Sequence, residues 1–226
     1  MKKQTTLYIT RHGETEYNTE HRVQGQSDSP LTAYGRAVAA RLGRGLTNTK
    51  FDFVYSSSAG RALDTTRIIL DNMGVEMTIN VDENLRERGF GKFEGRIISG
   101  GVWEQAREAA VKAGHAGKFD MTILSSSYED VTPLGEPIIE KPYNVEDFGE
   151  FKARLIKALD DICEKMPNGE SQVLVVTHGF AIIAMLHALT GDRYGTGPID
   201  NASVTLIENV DGVYYIRKVN DTSYTR

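Results

Sequence analysis

The sequence predicts an α/β protein, a three-layer sandwich with a mostly parallel central sheet flanked by helices. Three observations carry that expectation. Short apolar runs of strand length alternate with longer segments of helical period. Three of those runs lead into polar groups suited to chemistry: Thr10-Arg11-His12, Ser56-Ser57-Ser58 with Arg61, and Thr177-His178-Gly179. The chain also closes with two alternating segments around Asp211-Gly212, a strong hairpin signal.

Thr5–Ile9 reads as a buried strand. After the loop Gln24–Pro30, Thr32–Leu46 reads as a helix with Tyr34, Val38, Arg41, Leu42 and Leu46 along one stripe and Thr32 as its N-cap. Phe51–Tyr55 is a second strand. It feeds a helix over Gly60–Asn72, with Leu63, Arg67, Ile68 and Leu70 on or beside the inner face and Gly74 as the stop. Met77–Val81 is a third strand. From Arg96 to Asp147 the rhythm is lost: one amphipathic helix over Val102–Ala113 is followed by Gly114, Gly117, a Ser125–Ser127 run and prolines at 133, 137 and 142. This segment, about 96–147, reads as an inserted lid within a single domain spanning 1–226. Helical period returns over Val145–Met166, with Phe148, Phe151, Leu155, Ile156, Leu159 and Ile162 on one side. Gln172–Val176 is a strand that enters an apolar helix ending at Leu189. Ser203–Glu208 and Val213–Val219 form the hairpin.

With 226 residues, 40% of them hydrophobic, the chain is long enough for a sizeable core. Thirty-one acidic residues against 26 basic ones give a net charge of −5, which argues against broad capture of nucleic acid or of an anionic membrane. No run approaches the roughly 18 to 20 apolar residues needed to span a bilayer. Cys163 is the single cysteine and no long apolar run follows Met1, so a cytoplasmic setting is expected. The five histidines are scattered without a close metal-ligand pair, and neither metal nor cofactor is expected.

In open α/β sheets ligands bind outside the carboxyl ends of the strands. Two of the three strand ends open helices, whose free N–H groups favour an anion. Arg11, Arg61, His12 and His178 meeting there would make a compact, phosphate-sized pocket, because the arginine fork binds phosphate oxygens in pairs. Taken singly, each residue has an ordinary reading: a hydrogen-bonded structural histidine, a surface arginine, and for Glu14 a turn or cap.

The residues together resemble the histidine phosphatase superfamily, the phosphoglycerate mutase-like clan. Leu7-Tyr8-Ile9-Thr10-Arg11-His12-Gly13-Glu14-Thr15 looks like its signature. Matching blocks follow in order: Asp28-Ser29-Pro30-Leu31-Thr32 with Gly35; Tyr55-Ser56-Ser57 with Arg61-Ala62 and Thr65; Leu85-Arg86-Glu87 with Phe90-Gly91 and Phe93-Glu94-Gly95; Val176-Thr177-His178-Gly179; and Asn201-Ala202-Ser203-Val204. The resemblance covers 5–95 and 150–208. It implies that His12 is a nucleophile forming phosphohistidine, that Arg11, Arg61 and His178 bind the non-bridging oxygens, and that Glu87 is the general acid and then base. It implies supporting contacts from Asn18 and Gln24, for which ordinary loop roles are the alternative. Gly179 and Arg88 join the substrate-binding set. The partner it implies is a small phosphomonoester.

The clan contains phosphatases and mutases on the same core residues. Phe90-Gly91-Lys92-Phe93-Glu94-Gly95 resembles the phosphatase block, and the insertion carries isolated Arg96, Arg107, Lys112 and Lys118 without an Arg-Arg pair. Arg88 keeps the mutase alternative open, because Glu87-Arg88-Gly89-Phe90-Gly91 also fits the mutase pattern. A third reading is a catalytically idle binder of phosphorylated ligands, which predicts loss of His12, Glu87 or His178; all three are present. Gly135-Glu136-Pro137 and the stretch Ile138–Asn144 depart from the family pattern, so substrate identity does not carry over. Trp103 and Tyr128 are candidates to shape the leaving-group pocket, with lid packing the alternative for Trp103. Gly89 and Gly91 lack the spacing of a dinucleotide loop, and Gly114–Lys118 is too short for a P-loop.

Overall fold

The computed structural model describes residues 2–97, 144–191 and 198–226. The sandwich expected from the sequence is observed. Six strands lie in one sheet: β1 (Lys3–Arg11), β2 (Phe53–Ser57), β3 (Ile79–Asp82), β4 (Gly169–Thr177), β5 (Val204–Val210) and β6 (Val213–Asp221). Their order is β3-β2-β4-β1-β5-β6. The first four run parallel, and β5 and β6 add an antiparallel edge.

Side chains alternate across a strand, so the two faces of the central strands build two cores. Leu7, Ile9, Val173 and Val175 face the helices α4 (Phe148–Lys165) and α5 (Gly179–Thr190), burying Phe151, Leu155, Leu159 and Ile162 against the sheet. Val54, Leu174 and Val176 face α2 (Ala33–Gly45) and α3 (Gly60–Met73), with Leu42, Ile69 and Leu70. β4 is therefore buried on both faces, which explains its unbroken run Val173–Val176.

Several local signals act as expected. Thr32 caps α2 by accepting from the Gly35 N–H at 2.9 Å. α3 stops at Gly74, whose φ of 71° is the left-handed C-cap conformation. Asp211 and Gly212 both have positive φ, 50° and 87°, as a two-residue hairpin with right-handed strand twist requires.

Boundaries differ where polar residues continue a ladder. β1 and β4 each run nine residues, because backbone pairing from Lys3–Gly169 to Arg11–Thr177 outlasts the apolar stretch. β2 begins at Phe53, two residues later than expected. Asp52 exchanges bonds with Gln172, and the Phe51 ring packs edge-on to Tyr8 at 5.2 Å. A short helix, α1 (Glu16–Thr19), was not expected; a capping box between Thr15 and Asn18 starts it. Single 3₁₀ turns occupy Glu83–Leu85 and Gly91–Phe93. Most of the expected insertion, 98–143, lies outside the described residues, as do the helix over Val102–Ala113, Trp103 and Tyr128.

Candidate active site

The sheet register fixes His12 and His178 beside one another. Arg11 pairs with Thr177, and the His12 N–H donates to the Thr177 carbonyl at 2.9 Å. His12 and His178 thus leave adjacent parallel strands at one level. Their ring centroids lie 5.2 Å apart at 62°. Ser57, the last residue of β2, reaches His178 Nε2 at 2.8 Å. Three neighbouring strands therefore floor the site.

Two contacts define the state of His12. Its Nδ1 lies 2.7 Å from the Gly13 carbonyl, which only accepts, so Nδ1 carries the proton. Arg61 Nε donates to Nε2 at 3.2 Å, so Nε2 holds a lone pair. Burial, reinforced by the charges of Arg61 and Arg11, pushes the His12 pKa well below the usual imidazole value. Burial and then Arg61, His12 and Arg11 do the same to His178. Its Nδ1 is buried without a hydrogen-bond partner. The Ser57 hydroxyl accepts from the Ala59 N–H and can donate its own proton to Nε2, the arrangement that leaves Nδ1 as a donor toward the site.

Arg61 lies one residue into α3 and is 1% exposed. Its Nη1 donates to the Ser27 carbonyl at 2.9 Å and to Asp28 Oδ1 at 3.0 Å, and its Nη2 to the Gly25 carbonyl at 2.9 Å. Arg11 Nη1 donates to the Ile199 carbonyl at 2.6 Å, while its Nε is buried without a partner. A Cβ at Gly179 would lie 3.2 Å from Arg11 Nε, so glycine makes room for this guanidinium.

Glu87 is also buried. Its Oε1 accepts from the Arg88 N–H at 2.9 Å and its Oε2 from the Phe180 N–H at 3.0 Å. Burial pushes its pKa above the usual carboxylate range; the two N–H bonds and the charges of Arg61 and Arg11 oppose the shift without cancelling it. Phe180 is in the first turn of α5, whose N-cap His178 makes no side-chain cap bond. Likewise α3 follows Ala59 without a side-chain cap, and Asp28 accepts from the Arg61 N–H instead. Both helices that open onto the site are capped by carboxylates from elsewhere in the chain.

The remaining expected residues take different places. Asn18 Oδ1 accepts from the Thr15 N–H at 3.1 Å and from Asn201 Nδ2 at 3.4 Å; Asn201 Nδ2 also donates to the His12 carbonyl at 2.9 Å. Gln24 accepts from Thr15 Oγ1 at 2.8 Å and donates to Ser29 Oγ at 2.9 Å, so both support the loops beside His12. Arg88 is buried, with Nε donating to the Glu146 carbonyl at 2.8 Å and its guanidinium over the Phe148 ring. Glu14 accepts from Thr32 Oγ1 beside the start of α2. Among the described residues, no group of three or more His, Cys, Asp or Glu side chains is placed to hold a metal ion, and no helix is long and apolar enough to cross a membrane.

The sequence assigned no role to Ser57, Asp28, Glu94, Asn201 or Arg154, all of which hold the site. Four of them sit in the motif blocks. Arg154 carried no local signal. It lies on α4 and donates to the carbonyls of Asn84, Arg86 and Glu87 at 2.7 to 2.9 Å while pairing with Glu146.

Several known proteins are similar to this chain. A "Probable phosphoglycerate mutase GpmB" of Enterobacter sp. (strain 638) is 31% identical over 185 residues, 82% of this chain and 74% of the relative. A "Putative phosphoserine phosphatase 2" of Hydrogenobacter thermophilus is 30% identical over 206 residues, 89% of this chain and 88% of the relative. The crystal structure of a phosphoglycerate mutase from Bacillus anthracis str. Sterne superposes with a TM-score of 0.81 at 34% identity, covering 99% of this chain and 96% of the other. The sequence model of the histidine phosphatase superfamily (branch 1) matches residues 7–222, and the chain belongs to that family.

Proposed function

We propose that this protein is a metal-independent phosphomonoester hydrolase that works through phosphohistidine at His12 on small phosphorylated metabolites. One observation carries the reading: His12 is held as a neutral imidazole with its proton on Nδ1 and a lone pair on Nε2. The positive charge around it comes from Arg11 and from Arg61, the latter paired with Asp28, because the low pKa values of His12 and His178 keep both rings neutral. Two guanidinium groups are the donors suited to a phosphoryl dianion.

In the first step Nε2 attacks phosphorus, the P–O bond to the leaving group breaks, and Glu87 gives its proton to the departing alkoxide. Arg11, Arg61 and His178 hold the three non-bridging oxygens. A dianion arriving beside Glu87 raises its pKa further, which favours the acid form needed for this step. In the second step the Glu87 carboxylate takes a proton from water, the oxygen attacks phosphorus, and the P–N bond breaks to restore neutral His12. A cytoplasmic setting suits such a substrate.

The mutase reading is favoured by the names of the relatives from Enterobacter and Bacillus anthracis. Hydrolysis is favoured by the phosphatase-type block Phe90–Gly95 and by the commitment of Arg88 Nε to the Glu146 carbonyl. A panel of phosphomonoesters, assayed with and without chelator on the native chain and on His12→Ala, tests the mechanism. Native activity that survives chelation, with acid-labile phosphohistidine that His12→Ala lacks, is the expected result. Activity lost in chelator, or retained by His12→Ala, would sink it. Isomerisation of 3-phosphoglycerate primed with 2,3-bisphosphoglycerate, if faster than hydrolysis, would make the protein a mutase.

A further inference from the structure

We propose that Glu94 is a positioning residue that sets Arg61, and through it the phosphoryl pocket, by gripping the turn Gly25–Ser27. This extends the phosphohistidine reading and rests on the Arg61 role given there.

The turn is held from both sides, one peptide unit after another. On its amide side the Glu94 carboxylate accepts from the N–H groups of Gly25 at 3.0 Å, Gln26 at 2.9 Å and Ser27 at 3.1 Å, and from the Ser27 hydroxyl at 2.5 Å. Consecutive N–H groups curled around one anion form a backbone nest. On its carbonyl side Arg61 donates to Gly25 and Ser27, and Arg86 donates to Gln26, each at 2.9 Å. Each of the three residues therefore sends its N–H to Glu94 and its C=O to an arginine. Polarised in that direction, the peptide groups make stronger acceptors for the guanidinium groups.

Arg61 needs this support. Its Nε meets the lone pair of His12 Nε2, and both turn carbonyls fix the plane of the fork. Moving the turn by a few tenths of an ångström rotates that plane relative to the attacking nitrogen. No slack is available, because a Cβ on Gly25 would lie 2.0 Å from the Arg88 carbonyl and 2.5 Å from Glu94 Oε1. The same carboxylate also accepts from the Phe90 N–H at 2.9 Å, and Gln26 Nε2 donates to the Glu87 carbonyl at 2.8 Å. Glu94 thus ties the segment bearing the general acid to the loop whose carbonyls hold the arginine clamp. Although burial alone would raise its pKa, the Ser27 hydroxyl and the backbone N–H groups together hold it below the usual carboxylate value.

The test is a double-mutant cycle. Glu94→Gln keeps the shape but replaces one acceptor oxygen by a donor that faces N–H groups. We measure the single-turnover rate of His12 phosphorylation and the affinity for orthovanadate in Glu94→Gln, Arg61→Ala and the double variant, with melting temperature followed alongside. Glu94→Gln should lose about 10- to 100-fold in phosphorylation rate and weaken orthovanadate, the scale expected for a small misplacement of a reacting group. In the Arg61→Ala background the same substitution should cost less than about threefold, since coupled residues are not additive. Glu94→Asp should recover less than Glu94 itself. Equal losses in both backgrounds, or native rate and orthovanadate affinity in folded Glu94→Gln, would overturn the proposal. If Glu94→Gln does not fold, Ser27→Ala decides in its place: a slower phosphorylation absent in the Arg61→Ala background supports the proposal, and native kinetics refutes it. A native chain that forms no phosphohistidine refutes the wider reading instead, whereas normal native phosphohistidine with an indifferent Glu94 refutes only this inference.

Discussion

His12 and His178 reach the site differently from Arg61 and Glu87. The histidines are the residues next after β1 and β4, and nine register pairs between those strands set their spacing through the backbone alone. Arg61 and Glu87 sit at a helix start and in an irregular segment between two 3₁₀ turns. Their orientation is made by carbonyls, N–H groups and carboxylates from elsewhere in the chain. The proposed nucleophile is thus placed by the scaffold, while the proposed clamp and acid are placed by a hydrogen-bond network. The difference predicts how each responds to change.

The largest effect should follow loss of the proposed nucleophile itself. His12→Ala should reduce turnover by on the order of 10⁴ or more, the scale seen when a covalent nucleophile is removed. Its melting temperature should stay within a few degrees of the native chain, because β1–β4 pairing does not depend on the ring. A large loss of stability would mean that the imidazole organises the strand end, contrary to the scaffold account. The pH profile sharpens the point. A lowered His12 pKa keeps Nε2 free of its proton as pH falls through the ordinary imidazole value, so kcat/KM should hold below about pH 6.5. An acid limb at or above that pH would contradict the buried, arginine-flanked ring.

Glu87 should give the next effect, with the opposite balance between activity and stability. Glu87→Gln should lower kcat by roughly 10²- to 10⁴-fold, since an amide neither delivers nor accepts the proton. The folded-state pKa of Glu87 is raised, so its favourable burial is complete below the usual carboxylate pKa and is lost as pH rises through the raised value. Glutamine has no such loss. The melting temperature of Glu87→Gln relative to the native chain should therefore rise from pH 4 to pH 7.5. A difference that does not change with pH would show that Glu87 is not penalised by burial.

The same division decides what was legible in the sequence. β1 and β4 announce themselves by apolar runs, and residues that follow a strand end need no long-range partner to be located. Thr32, Gly74 and Asp211-Gly212 were readable because capping and turn geometry are local. The network was not readable. Arg154 is an ordinary exposed-type residue by its position in a helix, yet it reaches carbonyls 67 to 70 residues earlier in the chain. Asp28 and Glu94 stood inside recognised motif blocks, but only tertiary contact shows that one serves α3 and the other the turn Gly25–Ser27. Gln24 and Asn18 illustrate the converse: they lie in the loops beside His12, and their hydrogen bonds go to the loop framework.

Arg61→Lys separates a charge from an oriented charge. Lysine keeps the cation but cannot satisfy the Gly25 and Ser27 carbonyls while donating to the phosphoryl group. A loss of roughly 10²- to 10³-fold in kcat, as for removal of one preorganised donor, is expected. A loss below tenfold would show that charge alone suffices and that the turn has no orienting role.

Asp28→Asn is the finest probe of the network and should have the smallest effect. Asp28 bonds both the Arg61 side chain and its backbone N–H, but its own side chain is 38% exposed. Solvent screening therefore limits the charge contribution to about 1 kcal/mol or less, at most about a fivefold loss in kcat/KM. Asparagine keeps one acceptor oxygen, which can cap α3 or hold the guanidinium but not serve both equally well. If the loss exceeds that of Glu94→Gln, Arg61 is oriented chiefly by its ion pair. If it is smaller, the two turn carbonyls dominate, as the burial of the guanidinium and of its bond to the Gly25 carbonyl implies, and orientation is a property of the backbone grip and not of the exposed carboxylate.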